Sequence, residues 1–192
     1  MEIIIATGNA GKVREFKRML EPLGYTVFSQ KEKEIFVDPE EDGDTFAENA
    51  LIKARAVWEI AHTAVIADDS GLCVDALDGR PGVYSARYAG EGATDADRNR
   101  KLLAELEGVS NRAAHFTCAI AYIDAEGRAR VFEGICPGTI GFEPKGADGF
   151  GYDPLFLCGE KTFGEMSAEE KDAVSHRGRA NRMLEEYLRL HR

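Results

Sequence analysis

The 192-residue sequence predicts an α/β protein, because short apolar runs alternate with helical patterns along the chain. The apolar run Ile3–Ala6 indicates a buried strand, and it is followed by a helical pattern that ends near Gly24. A second helical pattern, Thr45–His62, precedes another buried strand, Ala64–Ala67. Strands and helices therefore follow each other repeatedly, as they do in proteins that cover a sheet with helices.

The charge and the amino terminus exclude several classes of protein. The chain carries a formal net charge of −10 and no basic tract, which argues against a protein that neutralises a nucleic-acid backbone or binds a membrane surface. The segment Met1–Ile5 is too short for a secretory signal, and no apolar run approaches the roughly 20 residues of a membrane span. We therefore expect a cytoplasmic protein with no nucleic-acid or membrane partner.

The four cysteines, Cys73, Cys118, Cys136 and Cys158, lie far apart and include no Cys-x-x-Cys pair. This spacing indicates neither a zinc site nor a disulfide framework. We expect them to be small, buried and reduced core residues.

The loop Thr7–Lys12 lies between the first strand and the first helix and contains two glycines. Backbone N–H groups and the positive end of a helix attract anions at such a position, and Lys12 adds a cation. The spacing excludes both a P-loop and a Gly-x-Gly-x-x-Gly motif, since only two residues separate Gly8 from Gly11. The loop is therefore either a phosphate site or a plain tight turn.

An acidic loop, Asp38–Asp44, has five acidic residues in seven positions after a short strand, Thr26–Phe28. Such runs are usually only solvated. Here Thr45 and Glu48 form a capping-box pattern that anchors the loop to the following helix. An anchored carboxylate can bind a hard cation with a smaller entropy loss than one on a mobile loop.

The segment Ala67–Leu72 sets Asp68 and Asp69 after an apolar strand and before Gly71. We expect the strand to end there and the chain to turn sharply at Gly71. Paired carboxylates beside the Ser70 hydroxyl can hold a divalent metal or activate a water. The alternative is an ordinary junction between a strand and a turn.

The middle of the chain predicts a helix and a hairpin. Thr94 can cap a helix that runs to about Glu107, and two strand patterns flank the turn Asp124–Gly127. Next comes Lys145–Phe156, a loop rich in glycine and aromatic residues. Its rings can stack on a base or fill the core, and composition does not separate these two interpretations.

The last segment predicts an amphipathic helix. Ser167 and Glu170 form another capping pattern, and Ser175–Arg179 lies at the start of the final helix. A helix start is a natural place for recognising an anion or a carbonyl group. The apolar stripe of the final helix consists of Ala180, Met183, Leu184, Tyr187 and Leu188.

Six motifs, in order along nearly the whole chain, resemble those of the inosine triphosphate pyrophosphatase family. They are Thr7–Lys12, Thr45–Ala54, Ala67–Leu72, Pro81–Tyr88, Gly149–Pro154 and Ser175–Gly178. The resemblance implies one pyrophosphatase domain over residues 1–192, with a mixed sheet flanked by helices and two lobes around an active-site cleft. It also implies a homodimer that hydrolyses ITP, dITP and XTP to the monophosphate and pyrophosphate with Mg²⁺.

The same resemblance assigns roles to individual residues. Glu40 and Asp69 would bind Mg²⁺, and Asp69 would also accept the proton of the attacking water. Glu41 is a near-equal rival to Glu40, because the acidic run blurs the assignment. The substrate-binding residues would be Thr7, Gly8, Asn9, Ala10, Gly11 and Lys12 at the triphosphate, Ser70, and Phe150, Gly151, Tyr152, Asp153, Lys171, His176 and Arg177 at the base.

Two other classes of function stay open at this point. Another metal-dependent nucleotide phosphohydrolase could use the same carboxylates and loop, and it would differ in its product. A non-catalytic nucleotide-binding protein would keep Lys12 and the base pocket without needing Asp69 as a base.

Overall fold

The computed structural model describes residues 1–191. The helices are α1 (Ala10–Leu20), α2 (Phe46–Ala61), α3 (Asp95–Glu105), α4 (Ala168–Val174) and α5 (His176–Leu190). The strands are β1 (Glu2–Ile5), β2 (Thr26–Ser29), β3 (Ala64–Val74), β4 (Ala113–Ile123), β5 (Ala129–Ile140), β6 (Phe156–Cys158) and β7 (Lys161–Thr162). Short 3-10 helices span Glu21–Leu23, Asp75–Leu77, Gly82–Arg87 and Phe163–Glu165.

The strands form a seven-stranded mixed sheet in the order β2-β1-β3-β4-β5-β6-β7. β1 is parallel to both of its neighbours, with Ile4 opposite Phe28 of β2 and Val65 of β3. β6 is antiparallel to β5 and to β7. The predicted α/β class with a mixed sheet flanked by helices is therefore confirmed.

The chain divides into two compact units. The first unit contains residues 1–69 and 119–133 and the segment from residue 180 onward. Ile3, Ile4 and Ile5 of β1 are buried, and α1 packs against β2. The Tyr25 hydroxyl donates to the Leu188 carbonyl at 3.4 Å, and the Trp58 indole donates to the Asp124 carbonyl at 2.9 Å. These hydrogen bonds join segments of this unit that are far apart in sequence.

The second unit contains residues 70–118 and 134–179. Its core is built around Phe116, Phe156 and Phe163, whose ring centroids lie 4.6–5.8 Å apart. Arg112 donates to the backbone carbonyls of Leu106, Ile140 and Gly141 and so joins β5 to the end of α3. Two units agree with the two-lobed expectation, and the cleft between lobes stays a prediction.

The caps predicted from the sequence are present. Thr45 with Glu48 and Ser167 with Glu170 both form complete capping boxes, at α2 and α4. α3 is also capped by Thr94, and it ends at Glu105, two residues before the predicted end. The side chains of an N-cap satisfy N–H groups that the helix cannot pair, so these short polar patterns fix helix starts reliably.

The predicted end of the third strand was wrong. β3 does not stop at Ala67 with a turn at Gly71, but continues to Val74. Leu72 and Val74 are fully buried, so the apolar pattern of the strand resumes after the carboxylates and favours extended backbone. Asp69 therefore lies in the middle of an 11-residue strand rather than at its end.

The cysteine prediction was right about the free thiols and partly wrong about burial. All four cysteines are free, and Cys118 and Cys136 are buried, but Cys73 and Cys158 are partly exposed.

Across residues 1–191, the helices all fall short of the length and apolarity that crossing a membrane would require.

Candidate active site

The loop between β1 and α1 is shaped by its own side chains. Asn9 caps α1, and its Oδ1 accepts the N–H groups of Gly11 at 2.8 Å and Lys12 at 3.2 Å. The Thr7 hydroxyl accepts the N–H of Asn9 at 3.1 Å. Gly8 to Gly11 are exposed, and the first turn of α1 contains no acidic residue. The loop is thus an ordered, exposed helix start whose charge suits an anion.

Lys12 forms an ion pair with Asp68, with Nζ at 2.8 Å from Oδ2. The Asp68 side chain is only 1% exposed, whereas that of Lys12 is 19% exposed. A buried carboxylate therefore holds the ammonium group at the edge of the loop.

Asp69 has a different cationic partner from its neighbour. Consecutive side chains of a strand point to opposite faces of the sheet, and Asp69 Oδ1 lies 3.5 Å from Lys53 Nζ. Lys53 also lies 2.9 Å from Glu41 Oε2. Asn49, one helical turn before Lys53 in α2, accepts the Gly43 N–H at 2.9 Å and hydrogen-bonds the Asp69 carboxylate. One face of α2 therefore connects the acidic loop with Asp69.

The electrostatics of this group favour a basic carboxylate. Burial raises the pKa of Asp69, the positive charge of Lys53 opposes this, and the negative charge of Glu41 adds to it. The pKa of Asp69 is raised overall. Burial disfavours the charge on Lys53, but the charges of Asp69, Glu41 and Asp68 outweigh it and raise the pKa of Lys53. Lys53 therefore stays protonated and can support an ionised Asp69.

The oxygen atoms of Asp69 fit a hard cation. Its Oδ2 is buried and accepts no hydrogen bond, which is costly unless another partner is supplied. Glu41 reaches this group through Lys53, whereas Glu40 is exposed. No group of three or more His, Cys, Asp or Glu side chains suited to a metal occurs in residues 1–191. Mg²⁺ needs no such group, because it is usually held by one or two carboxylates together with phosphates and water.

Among the residues predicted to bind the base, which we call the base side, an exposed aromatic ring is flanked by two cations of the second unit. Phe150 is 59% exposed, and its ring centroid lies 5.1 Å from Lys171 Nζ and 6.0 Å from the Arg177 guanidinium carbon. Arg177 Nη2 also donates to Ser70 Oγ at 3.2 Å. Four of the predicted substrate-binding residues are thus brought together.

The Asp153 carboxylate contacts both Phe150 and Lys171. Its Oδ2 accepts the Phe150 N–H at 2.9 Å and lies 2.5 Å from Lys171 Nζ. Gly149 has a positive φ of 78°, and a Cβ atom there would stand 2.1 Å from Asp153 Oδ2. The close approach and the backbone conformation both require glycine. Asp153 is buried, so it orients Phe150 and Lys171.

Tyr152 and His176, both predicted at the base, lie in the core of the second unit. Tyr152 is buried, and its hydroxyl donates to the Ser85 carbonyl at 2.8 Å. The His176 ring is 7% exposed and stacks on Phe116, with centroids 4.7 Å apart. Within the aromatic-rich loop, Tyr152 and Phe156 are buried in the core, as the alternative interpretation expected, whereas Phe150 is exposed. Gly151 presents its backbone to α3.

The predicted residues fall into two sets. The loop Thr7–Lys12 and the acidic residues up to Asp69 belong to the first unit, and Ser70 and the base-side residues belong to the second. Asn49 and Lys53 were not among the residues predicted to form the site. Their four-residue spacing within the predicted helix was the available signal, since it places both on one helical face.

Comparison with known proteins agrees with the motifs. The Ham1 family model matches residues 3–187. A dITP/XTP pyrophosphatase of Desulforamulus reducens is 50% identical over 98% of this chain and 96% of its own length, and one of Bacillus subtilis is 48% identical over 97% and 96%. The Staphylococcus aureus Ham1 protein superposes with a TM-score of 0.95 at 41% identity, covering 100% of both chains. A match of this extent confirms the resemblance carried by the six motifs, and the chain belongs to the Ham1 family.

Proposed function

We propose that the protein is a nucleoside triphosphate pyrophosphatase that cleanses the nucleotide pool of deaminated purine nucleotides. It hydrolyses the bond between the α- and β-phosphates of ITP, dITP and XTP, releasing the monophosphate and pyrophosphate. Relatives about half identical in sequence are named dITP/XTP pyrophosphatases. The observation that carries the proposal is the half-buried Asp69 carboxylate, whose buried Oδ2 has no hydrogen bond and whose Oδ1 lies beside a lysine.

Asp69 is the proposed proton acceptor. The oxygen of a water molecule bonds to the α-phosphorus, and the bond from that phosphorus to the oxygen of the β-phosphate breaks. The proton of the water passes to the Asp69 carboxylate, and pyrophosphate leaves. The raised pKa of Asp69 makes the ionised carboxylate a stronger base than an exposed aspartate. Lys53 and Asn49 orient this carboxylate, and the positive charge of Lys53 keeps it ionised before it accepts the proton.

Lys12 and the exposed part of the loop, Gly8 to Gly11, bind the triphosphate in this proposal. Asp68 holds Lys12 at the loop, and the Asn9 cap fixes the backbone around it. A cation at this position recognises phosphate charge and not the edges of a purine.

We assign Mg²⁺ to Asp69 and Glu40, with Glu41 as the rival of Glu40. Glu41 already pairs with Lys53, whereas Glu40 is exposed and open to a cation. When bound, Mg²⁺ supplies charge neutralisation and polarisation of the phosphate oxygens. Comparing Glu40→Gln with Glu41→Gln decides the assignment. The variant that requires more Mg²⁺ for half-maximal rate has lost the ligand.

On the base side, Phe150 stacks on the purine, and Lys171 and Arg177 present donors to its oxygen atoms. Hypoxanthine and xanthine carry an oxygen at C6, whereas adenine carries an amino group that leaves such a donor unpaired. Tyr152, His176 and Gly151 support this side from the core and from the loop backbone.

The family resemblance also supports a cytoplasmic homodimer in which residues 1–192 act as one pyrophosphatase domain. Light scattering coupled to gel filtration measures the assembly directly. A monomer at the concentrations of the assay would contradict the dimer without affecting the proposed chemistry.

The test of the function is a panel of nucleoside triphosphates with Mg²⁺, assayed separately for pyrophosphate and phosphate. We expect pyrophosphate release from ITP, dITP and XTP at much higher kcat/KM than from ATP or GTP. Release of phosphate instead would indicate a different phosphohydrolase. Nucleotide binding without any product would indicate a non-catalytic binding protein.

A further inference from the structure

The first turns of α3 hold one residue of the glycine- and aromatic-rich loop at both of its backbone polar groups. Asp95 Oδ2 accepts the Gly151 N–H at 2.8 Å, and Asn99 Nδ2 donates to the Gly151 carbonyl oxygen at 3.0 Å. Asp95 and Asn99 are four residues apart and therefore share one helical face. We call this pair of side chains the Gly151 clamp.

Gly151, the residue that the clamp holds, lies between two residues that were predicted to bind the base, Phe150 and Tyr152. Gly151 has a positive φ of 63°, a left-handed conformation that favours glycine. Tyr152, which follows it, is already fixed by its hydroxyl bond to Ser85. Phe150, which precedes it, is exposed. The Phe150 backbone is bonded to Asp153 on one side, and on the other side its direction depends on the bonds that hold Gly151 to α3.

Packing alone does not fix this part of the loop. A cavity of about 490 Å³ lies beside it, lined by residues that include Asp95, Asn99, Phe150 and Gly151. Loop backbone next to empty space can shift unless directional bonds restrain it. The clamp supplies those bonds.

The polar groups of both clamp residues are suited to bonding Gly151. Asn99 is buried, and its Oδ1 accepts no hydrogen bond, so its described polar contact is the donation to Gly151. Burial opposes the charge on Asp95, but the Gly151 N–H and Arg98 outweigh it and lower the pKa of Asp95. Asp95 therefore remains an ionised acceptor, which makes a stronger hydrogen bond than a neutral one.

We propose that Asp95 and Asn99 are positioning residues that hold the Phe150 ring in place for stacking on the purine, and so set the affinity for the base half of the substrate. They act through Gly151 and do not touch the nucleotide. This role rests on the proposed function, because it requires a purine stacked on Phe150.

The decisive variant is Asn99→Asp. It keeps the shape of the side chain but replaces the donor with a carboxylate oxygen facing the Gly151 carbonyl. Loss of one buried hydrogen bond with repulsion in its place should raise KM for ITP about tenfold. The rate constant kcat should change much less, because stacking stabilises the ground state and the transition state alike.

Two comparisons separate positioning from a general structural defect. Inorganic tripolyphosphate, which has no base, should inhibit ITP hydrolysis by Asn99→Asp as well as it inhibits the parent. Asp97→Asn is the matched control in the same helix, since the Asp97 carboxylate accepts the Thr94 N–H and pairs with Arg100, and Asp97 has no bond to Gly151 among the described contacts. It should leave KM for ITP unchanged. Weakened tripolyphosphate inhibition, or an equal rise of KM in the control, would overturn the proposal.

Amide hydrogen exchange without nucleotide tests the clamp independently of catalysis. The peptide containing Gly151 should exchange faster in Asn99→Asp and in Asp95→Ala than in the parent. Should Asn99→Asp fail to fold, Asn99→Leu removes the same donor and takes its place. Unchanged exchange at Gly151 would refute the clamp. A parent enzyme that released no pyrophosphate from ITP would refute the proposed function and the role in base affinity, while faster exchange would still establish the clamp itself.

Discussion

Asp68 and Asp69 are adjacent in sequence and have different partners. Asp68 is paired with Lys12 of the glycine loop, and Asp69 lies against Lys53 of α2. The division follows from the strand, because consecutive residues face opposite sides of a sheet. The same pair of residue types can therefore serve two purposes, one holding a cation and one acting as a base.

Asp69→Asn should lower kcat for ITP by about 10²–10⁴-fold, the usual contribution of a general base. Weaker metal binding would add to this loss, so the assay uses saturating Mg²⁺. Asp68→Asn is the matched control and should raise KM more than it lowers kcat, because it releases Lys12. If the kcat of Asp69→Asn stayed within tenfold of that of the parent, another residue would have to be the general base, and Asp68 would be the first candidate.

Lys12→Ala should weaken the binding of ITP and GTP alike, because a loop cation recognises charge and not the purine. Competition binding with the two nucleotides measures the effect. A variant whose base preference changed while its affinity stayed intact would contradict the phosphate assignment.

Arg177 is expected to contribute to base choice, whereas Phe150 is not. Guanine shares the C6 oxygen of hypoxanthine and differs at C2, where its amino group faces donors unfavourably. Arg177→Ala should therefore lower kcat/KM for ITP and XTP more than for GTP. Phe150→Ala should weaken all three, since every purine offers a ring face for stacking. An unchanged ratio of ITP to GTP in Arg177→Ala would remove Arg177 from the selectivity.

At the scale of elements, α2 carries the catalytic side of the proposed site. Its N-terminal capping box fixes the end of the acidic loop, because Glu48 accepts the N–H groups of both Asp44 and Thr45. One turn further along, Asn49 and Lys53 reach Gly43 and Asp69. A single helix thus connects the end of the acidic loop with the proposed base.

Thr45→Ala should lower the free energy of unfolding by about 1 kcal/mol, the typical cost of losing an N-cap. It should also raise the Mg²⁺ concentration needed for half-maximal rate, because the acidic loop loses its anchor. Ser167→Ala at α4 removes an equivalent cap far from that loop in sequence. Denaturant unfolding and metal titration of both variants provide the comparison. If both variants needed the same Mg²⁺ concentration for half-maximal rate, the cap at Thr45 would have no specific effect on metal binding.

At the scale of the whole molecule, the net charge of −10 opposes a polyanionic substrate. The local cations Lys12 and Lys53 are already paired with carboxylates. We therefore expect a triphosphate to need a metal ion in order to bind well. We infer that binding affinity, and not only the rate, depends on Mg²⁺.

ITP should raise the midpoint of thermal unfolding clearly more with Mg²⁺ than with EDTA, because a ligand stabilises in proportion to its affinity for the folded state. Thermal unfolding of the parent and of Asp69→Asn at equal ITP makes the measurement. In Asp69→Asn, ITP should raise the midpoint of thermal unfolding by nearly the same amount with Mg²⁺ as with EDTA. An equal shift in EDTA would show that the metal acts only in the chemical step.

The sequence by itself determined the order of the helices and of strands β1 to β5, the capping boxes at Thr45 and Ser167 and the family motifs. These depend on residues within a few positions of one another, so local patterns specify them. The sequence did not indicate the short strands β6 and β7. Only the tertiary structure decided that β3 continues past Gly71, that Tyr152 and His176 enter the core, and that α3 holds Gly151. Each of these depends on packing or hydrogen bonds between residues distant in sequence, whose energies no local pattern contains.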